Sequence, residues 1–101
     1  MYSVRLTPQF SAWLRSIKDT PTRIRLAKRL DKVQRGVLGD VAPVGEGVWE
    51  MREFFGPGWR MYYVERNQTL VIMLGGGNKS RQSDDIEKAI RLSKSIEVND
   101  E

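Results

Sequence analysis

The sequence predicts an α+β fold in which a small, mostly antiparallel sheet packs against helices. Apolar side chains recur at helical spacing through residues 8–35 and 83–96, whereas residues 46–81 are dense in β-branched and aromatic side chains broken by turn residues. The expected order of elements is β-α-α-β-β-β-α. With 101 residues the chain can build one modest core, so a single domain over residues 1–101 is expected.

The composition excludes several kinds of active site. The chain has no cysteine and no histidine, so disulfides, thiol nucleophiles, Ser-His-Asp triads and histidine-based metal sites are impossible. The acidic residues are scattered apart from Asp84-Asp85, which suit the first turn of a helix, so no metal and no other cofactor is expected. Neither a membrane-spanning run nor a signal peptide is evident, which predicts a cytoplasmic protein without a membrane partner.

Positive charge is concentrated at the start of the chain. The formal net charge is +4, yet residues 1–39 alone hold nine basic side chains and only two acidic ones, Asp19 and Asp31. Such asymmetry suggests a polyanion or an acidic protein as the partner.

The first strand and the first helix follow from local pattern. Tyr2, Val4 and Leu6 alternate with polar residues, as in a strand. Thr7-Pro8 then combines a helix cap with a proline at the first helical position. The helix that follows presents an apolar stripe at i, i+3, i+4 and i+7: Phe10, Trp13, Leu14 and Ile17.

A second helix is expected over residues 21–35, because Asp19-Thr20-Pro21 repeats the cap-and-proline signal. Its apolar side is Leu26, Ala27, Leu30, Val33 and Val37. Its basic side is Arg25, Lys28, Arg29, Lys32 and Arg35. The basic side fits a solvated surface, a face that docks on nucleic-acid phosphates, or a face for an acidic protein. Gly36 and Gly39 end the helix, and residues 39–47 are expected to form a loop.

The next segment reads as two β-hairpins. If residues 56–58 form a three-residue connection, Phe55 lies opposite Trp59 and Arg52 lies opposite Tyr62. If Asn67-Gln68 is a two-residue turn, two further pairs follow in the second hairpin, Arg60 with Gly75 and Tyr62 with Met73. A slip of one residue would move every side chain to the other face.

The two faces of this predicted sheet differ in polarity, because side chains alternate along a strand. One face is almost wholly apolar and must pack under the helices: Trp49, Met51, Phe55, Trp59, Met61 and Tyr63. The other is mixed: Glu50, Arg52, Phe54, Arg60, Tyr62 and Val64. Residues 75–77 are glycines that should end the last strand, either as a plain turn or as a floor where a ligand backbone approaches. Ser80 or Ser83 should then cap the last helix.

The mixed face suggests phosphodiester chemistry. Arg52, Arg60, Tyr62 and Lys79 are the candidate catalytic residues, because converging cations stabilise the extra charge of a pentacoordinate phosphorus. An RNA 2′-hydroxyl supplies its own nucleophile; Lys79 is the first candidate for the base, with Tyr62, Glu50 or a group outside the protein as alternatives.

Further RNA contacts are expected from Tyr62, which could stack on an unpaired base. The other RNA-binding candidates are Arg81, Arg25, Lys28, Arg29 and Lys32. A structural interpretation stays open at this point, in which Arg52 pairs with Glu50 or Glu53 and Tyr62 merely covers the sheet.

Four motifs give the chain a resemblance to a known family. They are a G-D-x-x-P-V-G loop at 39–45, an E-x-R strand at 50–52, a G-P-G-[YW]-R hairpin at 56–60 and a G-G-x-K-S-x-Q exit at 76–82. Over residues 5–94 the chain resembles the RelE/ParE toxin superfamily of bacterial type II toxin–antitoxin modules, in particular its HigB-type addiction module killer branch.

This resemblance implies a RelE-like fold and an mRNA interferase, which binds in the ribosomal A site and cleaves mRNA by attack of the 2′-hydroxyl. It implies an antitoxin partner, a helix-turn-helix protein from the adjacent gene, and binding of operator DNA through the toxin–antitoxin complex. By position, Arg60 matches a catalytic arginine, Lys79 a basic residue after the last strand, and Arg52 a further cation. Nothing after Tyr63 is aromatic or histidine, although many relatives carry such a residue there.

Two other functions on the same fold remain as alternatives. One is a ParE-like inhibitor of DNA gyrase, which needs no catalytic cluster. The other is a non-catalytic regulatory module that binds an antitoxin and DNA.

Overall fold

The computed structural model describes the backbone of residues 1–99 and the side chains of residues 1–96. Five strands form one sheet in the order β1-β5-β4-β3-β2, with β1 parallel to β5 and the other neighbours antiparallel. The predicted α+β class and the mostly antiparallel sheet are therefore confirmed. The elements are β1 (Ser3–Leu6), α1 (Pro8–Ser16), α2 (Thr20–Gln34), β2 (Val41–Gly45), β3 (Val48–Arg52), β4 (Trp59–Arg66), β5 (Leu70–Asn78), a 3₁₀ turn (Lys79–Arg81) and α3 (Gln82–Asn99).

Strand β2 corrects the predicted order, which becomes β-α-α-β-β-β-β-α. Residues 39–47 were expected as a loop because of their glycines and Pro43, yet Val41–Gly45 pairs with β3. The proline is tolerated because β2 lies at the edge of the sheet. A register irregularity between Pro43 and Gly45 further weakens the strand signal in the sequence.

The predicted caps of the first two helices are confirmed. Thr7 Oγ1 accepts a hydrogen bond from the Phe10 amide at 3.1 Å, and Asp19 Oδ2 accepts one from the Thr22 amide at 3.1 Å. The cap of the last helix differs from the prediction. Asn78 Oδ1 accepts from the Ser80 amide at 3.0 Å and opens the 3₁₀ turn, which leads directly into α3.

Helices α1 and α2 cover one face of the sheet. Val37 and Ala27 were expected on the buried side of the second helix, but both are exposed, because α2 ends before Val37 and turns Ala27 outward. The core on this face consists of Phe10, Ile17, Leu26, Leu30, Val33, Met51, Met61, Tyr63, Val71 and Met73.

Helix α3 covers the other face, which the sequence had suggested would carry an open site. Ala89 is buried there, and Ile86, Ile90 and Ile96 pack against the same cluster, as their spacing predicted. The sheet is therefore covered on both sides. The second core consists of Val48, Tyr62, Val64, Ile72, Leu74 and Ala89.

The β3–β4 register is shifted by two residues from the prediction. Arg52 pairs with Arg60, and Glu50 pairs with Tyr62, so the connection is the six-residue loop 53–58. The predicted partners were wrong, but the two faces keep their predicted members, because a shift of two preserves the alternation.

The β4–β5 pairs were also predicted wrongly. Asn67 and Gln68 both have positive φ, but Arg66 pairs with Leu70, so the turn has three residues (67–69) instead of the predicted two. The register shifts once more between Tyr62 and Tyr63. Tyr62 consequently pairs with Gly75 and Arg60 pairs with Gly77, so the glycine run lies inside β5 instead of ending it.

Within residues 1–99, no helix combines the length and the apolar character needed to cross a bilayer.

Candidate functional site

Cations from three elements border loop 53–58. Arg52 ends β3, Arg60 lies opposite it in β4, and Lys79 begins the turn after β5. A Cβ atom added to Gly58 would lie 3.4 Å from Lys79 Cβ and 3.8 Å from Arg60 Nη1. The missing side chain of Gly58 therefore leaves a gap between the lysine and the arginine. We call Arg52, Arg60 and Lys79, together with Gly58 between the last two, the cation cluster.

Arg60 is the most enclosed member of the cation cluster, with 5% of its surface exposed. Its Nη1 donates to the carbonyl oxygens of Glu53 at 3.2 Å and Trp59 at 3.0 Å. Its Nε lies 3.8 Å from Glu50 Oε1 and makes no hydrogen bond. The guanidinium is thus held in one orientation by loop 53–58 and balanced by one carboxylate.

Arg60 is connected through Glu50 to Gln82 of α3. Both Glu50 and Arg60 are buried, and Gln82 Nε2 of α3 donates to Glu50 Oε1 at 2.7 Å. This polar network connects β3, β4 and α3. Gln82 was not predicted as a site residue, although it is the last residue of the G-G-x-K-S-x-Q motif.

Arg52 makes a different ion pair from those expected. Its Nη2 and Nε donate to Asp40 Oδ1 at 2.7 and 3.3 Å, instead of pairing with Glu50 or Glu53. The pair is exposed, and the hydrogen bond to Asp40 raises the pKa of Arg52. Arg52 therefore remains charged at the rim of the cation cluster.

Tyr62 lies beneath α3 with no exposed surface, so its ring cannot stack on an RNA base. Its hydroxyl is buried and has no hydrogen-bond partner. Burial raises the pKa of Tyr62 far above its usual range, and the carboxylates of Glu50 and Asp85 raise it further. A neutral, enclosed phenol does not fit the base or the stacking residue suggested from sequence.

The basic face of α2 divides into internal and exposed cations. Arg29 donates to the carbonyl oxygens of Leu38, Asp40 and Arg52 and pairs with Glu53, which makes it a structural hub instead of a free cation. The other cations of this face stay at the surface: Arg25, Lys28, Lys32 and Arg35.

Arg25 ties α2 to the loop. Its Cζ lies 4.0 Å from the ring centroid of Phe55, a distance suited to a cation–π contact. The α2 face and the cation cluster therefore lie beside the same loop.

Two glycines of β5, Gly76 and Gly77, are positions of close packing. A Cβ on Gly76 would lie 2.6 Å from the Trp13 ring, and one on Gly77 would collide with the Asp85 carboxylate. Residues 74–78 also line a cavity of about 480 Å³ between α1 and α3. Arg81 borders this cavity together with Trp59 and Asn78.

Phe54 is a feature that the sequence analysis did not assign to function. It is 72% exposed, and its ring centroid lies 5.6 Å from Arg60 Cζ. The signal available in the sequence was an aromatic residue just before the glycine-rich segment 56–58, with Arg52 two positions earlier. The predicted register instead favoured Tyr62.

Among the residues that the structure describes, no three acidic side chains come together in a way that could hold a metal ion.

No protein-family model matches the chain. An uncharacterized protein of Haemophilus influenzae is 34% identical over 93 residues, which span 92% of this chain and 94% of that protein. The chain belongs to the same family as that protein. Among solved structures, the E. coli RelBE toxin–antitoxin complex contains a similar chain, with a TM-score of 0.61 and 15% identity. The similarity covers 77% of this chain and 96% of the other, and it shows that the fold is RelE-like.

Proposed function

We propose that this chain is the toxin of a type II toxin–antitoxin module, of the HigB type, and acts as a ribosome-dependent mRNA endoribonuclease. The observation that supports this most strongly is the cation cluster on a RelE-like fold. Arg60 and Lys79 approach each other across Gly58, which is a suitable arrangement for one phosphodiester.

In the proposed reaction, the 2′-hydroxyl oxygen of an RNA nucleotide attacks the adjacent phosphorus. The bond from phosphorus to the 5′-oxygen breaks, and this oxygen takes up the proton that the 2′-hydroxyl loses, carried by the base or by water. The products are a 2′,3′-cyclic phosphate and a 5′-hydroxyl. The exposed Lys79 contacts the phosphate. Of the three side chains considered as the base, Lys79 is the one that remains for accepting the 2′-hydroxyl proton, because Tyr62 is enclosed and Glu50 is bound by Gln82.

Arg60 contributes fixed positive charge to this reaction. Its orientation is set before substrate binds, by two backbone carbonyls and Glu50, so little reorganisation is needed when charge develops on the phosphate. Arg52 adds charge at the rim, where Asp40 already holds it. No metal or other cofactor takes part in the proposal.

The exposed cations of α2 extend the RNA surface. Lys28 and Lys32 are exposed, and Arg25 contacts the loop that carries the cation cluster. We assign these three to ribosomal or messenger RNA phosphates, with Arg81 as a peripheral contact. Arg29 positions the loop, because its donors are already satisfied within the protein.

The proposed partners are mRNA on the ribosome and a cognate antitoxin. The solved relative was crystallised as a toxin–antitoxin complex, and an acidic antitoxin would complement the net charge of +4. The proposal includes a helix-turn-helix antitoxin from the adjacent gene, operator binding through the complex, and a cytoplasmic location.

Controlled expression in a bacterial host tests this function. We expect growth arrest together with mRNA breaks, mapped by primer extension, that appear only in translated messages. Co-expression of the neighbouring gene should restore growth. DNA damage without mRNA breaks would instead indicate a ParE-like gyrase inhibitor, and undisturbed growth would indicate a non-catalytic module.

A further inference from the structure

Phe54 stands out as an aromatic side chain turned into solvent. Its exposure of 72% is exceeded, among the exposed large apolar residues of the described chain, only by Met1 at the terminus. Isolated apolar residues at the surface are common and need no function by themselves. What distinguishes Phe54 is how firmly the chain around it is held.

The residue before Phe54 is anchored twice. The Glu53 amide donates to the Trp59 carbonyl at 2.9 Å, and the Glu53 carboxylate pairs with Arg29. Both contacts are internal to the fold. These two contacts fix the position of the backbone that precedes Phe54.

The residue after Phe54 is anchored as well. The Phe55 ring packs against the core and lies under Arg25, and the Phe55 carbonyl accepts a hydrogen bond from the Gly58 amide at 3.1 Å. With both neighbours held by contacts to the fold, the loop presents Phe54 outward.

Positive charge lies directly beside the exposed ring. Arg60 Cζ is 5.6 Å from the ring centroid, and Lys79 lies on the other side of the Gly58 gap. A nucleotide combines a flat base with an anionic phosphate. The exposed ring of Phe54 matches the base, and the positive charge of Arg60 and Lys79 matches the phosphate.

We propose that Phe54 is a stacking platform for an unpaired base of single-stranded RNA, next to the phosphate that Lys79 contacts. This inference rests on the proposed function, because it takes RNA as the substrate. It gives loop 53–58 the base-stacking role that the buried Tyr62 cannot fill. A π-face serves any base, so the platform binds RNA without demanding one sequence.

The direct test is binding of the purified full chain to a single-stranded 2′-O-methyl RNA of about twelve nucleotides. This RNA lacks the attacking hydroxyl, so binding is measured without cleavage. Phe54→Ala should weaken binding roughly 5- to 150-fold, the range that loss of one base–aromatic stack produces. Phe54→Trp should restore it and show quenched tryptophan fluorescence.

Three controls separate stacking from other contacts. Phe54→Leu keeps an apolar side chain but removes the flat ring, and it should bind as weakly as Phe54→Ala. Val37→Ala removes another exposed apolar side chain and should leave binding unchanged. An abasic strand of the same length should bind the parent and Phe54→Ala equally.

Failure of the parent to bind the RNA, full affinity of Phe54→Leu, or equal losses on the abasic strand would each overturn the inference. An unchanged RNA affinity of Phe54→Ala would overturn it as well. If that variant also bound the antitoxin more weakly, Phe54 would be a protein contact. Cleavage by the parent on ribosomes is scored separately. Binding that depends on Phe54 without such cleavage would support the platform and reject the nuclease.

Discussion

Trp13 of α1 lies directly over Gly76 of β5, so closely that a Cβ atom on the glycine would be 2.6 Å from the indole ring. The contact fixes α1 against the part of β5 that extends beyond β1. It also gives Gly76 a structural reason, because the ring occupies the space that a side chain would need.

Replacement of Gly76 tests this packing. We expect Gly76→Ala to lower the free energy of unfolding by about 1–3 kcal/mol, because the added methyl group collides with the ring. Gly75→Ala is the matched control, since a Cβ there meets nothing within 4 Å. It should be neutral or stabilising by up to about 1 kcal/mol. Guanidinium denaturation measures both, and equal effects at the two positions would contradict the packing argument.

Arg29 should contribute more to stability than any exposed cation of α2. Its removal leaves Glu53 and three backbone carbonyls without their donor in a partly buried place, so Arg29→Ala should cost about 2–4 kcal/mol. Lys28→Ala, on the same helix but exposed, should change stability by less than about 0.5 kcal/mol. Similar unfolding midpoints for the two variants would refute the structural role of Arg29.

The buried hydroxyl of Tyr62 should be dispensable. It has no hydrogen-bond partner, so Tyr62→Phe removes a desolvated polar group and should be neutral or stabilising by up to about 1 kcal/mol. Cleavage activity should be unchanged as well, because the ring lies beneath α3. Thermal unfolding and activity of one purified variant check both statements. A loss of activity with intact stability would return Tyr62 to the catalytic set.

Asp85 should make stability depend on pH. Burial raises the pKa of this carboxyl, Lys88 and Arg81 lower it in part, and Asp84 raises it. The folded state therefore binds the proton more tightly than the unfolded state. Charged Asp85 destabilises the fold above its folded pKa, and this penalty is lost as the pH falls below the unfolded value of about 3.9.

The corresponding variant is Asp85→Asn. It should be more stable than the parent near neutral pH, and the gain should disappear below about pH 3. Unfolding midpoints across this range provide the measurement. A difference that stays constant with pH would show that the carboxyl does not titrate between the two states.

The sequence was sufficient for those parts of the fold that local chemistry decides. Thr7 and Asp19 cap their helices as predicted, because a side-chain oxygen directly before a helix accepts a hydrogen bond from a free amide of the first turn. The faces of β3 and β4 were also recovered, because alternation survives a shift of two residues.

The sequence did not determine the long-range features. The length of loop 53–58 depends on Phe55 turning into the core, and the irregularity between Tyr62 and Tyr63 has no local signal. For the same reason the mixed face was interpreted as open, whereas α3 covers it and encloses Tyr62. The ion pair of Arg60 with Glu50 was not predicted either, since the burial of both groups depends on which element covers the strand.

This enclosure changes how the catalytic proposal is best tested. Arg60→Ala would leave the Glu50 carboxylate buried without its cation, so loss of activity could reflect loss of the fold. Lys79 is exposed and can be removed safely. Lys94 is a matched control: it is also exposed, and it pairs with Glu46 at 2.6 Å, at the end of β3 remote from loop 53–58.

The most direct measurement is the rate of mRNA cleavage on purified, programmed ribosomes by the parent, Lys79→Ala and Lys94→Ala. We expect cleavage by the parent and by Lys94→Ala, with products ending in a cyclic phosphate. The rate for Lys79→Ala should be lower by roughly 10²-fold or more, the loss typical of a removed acid–base group. Equal rates for the parent and Lys79→Ala, or no cleavage by the parent, would contradict the proposed mechanism.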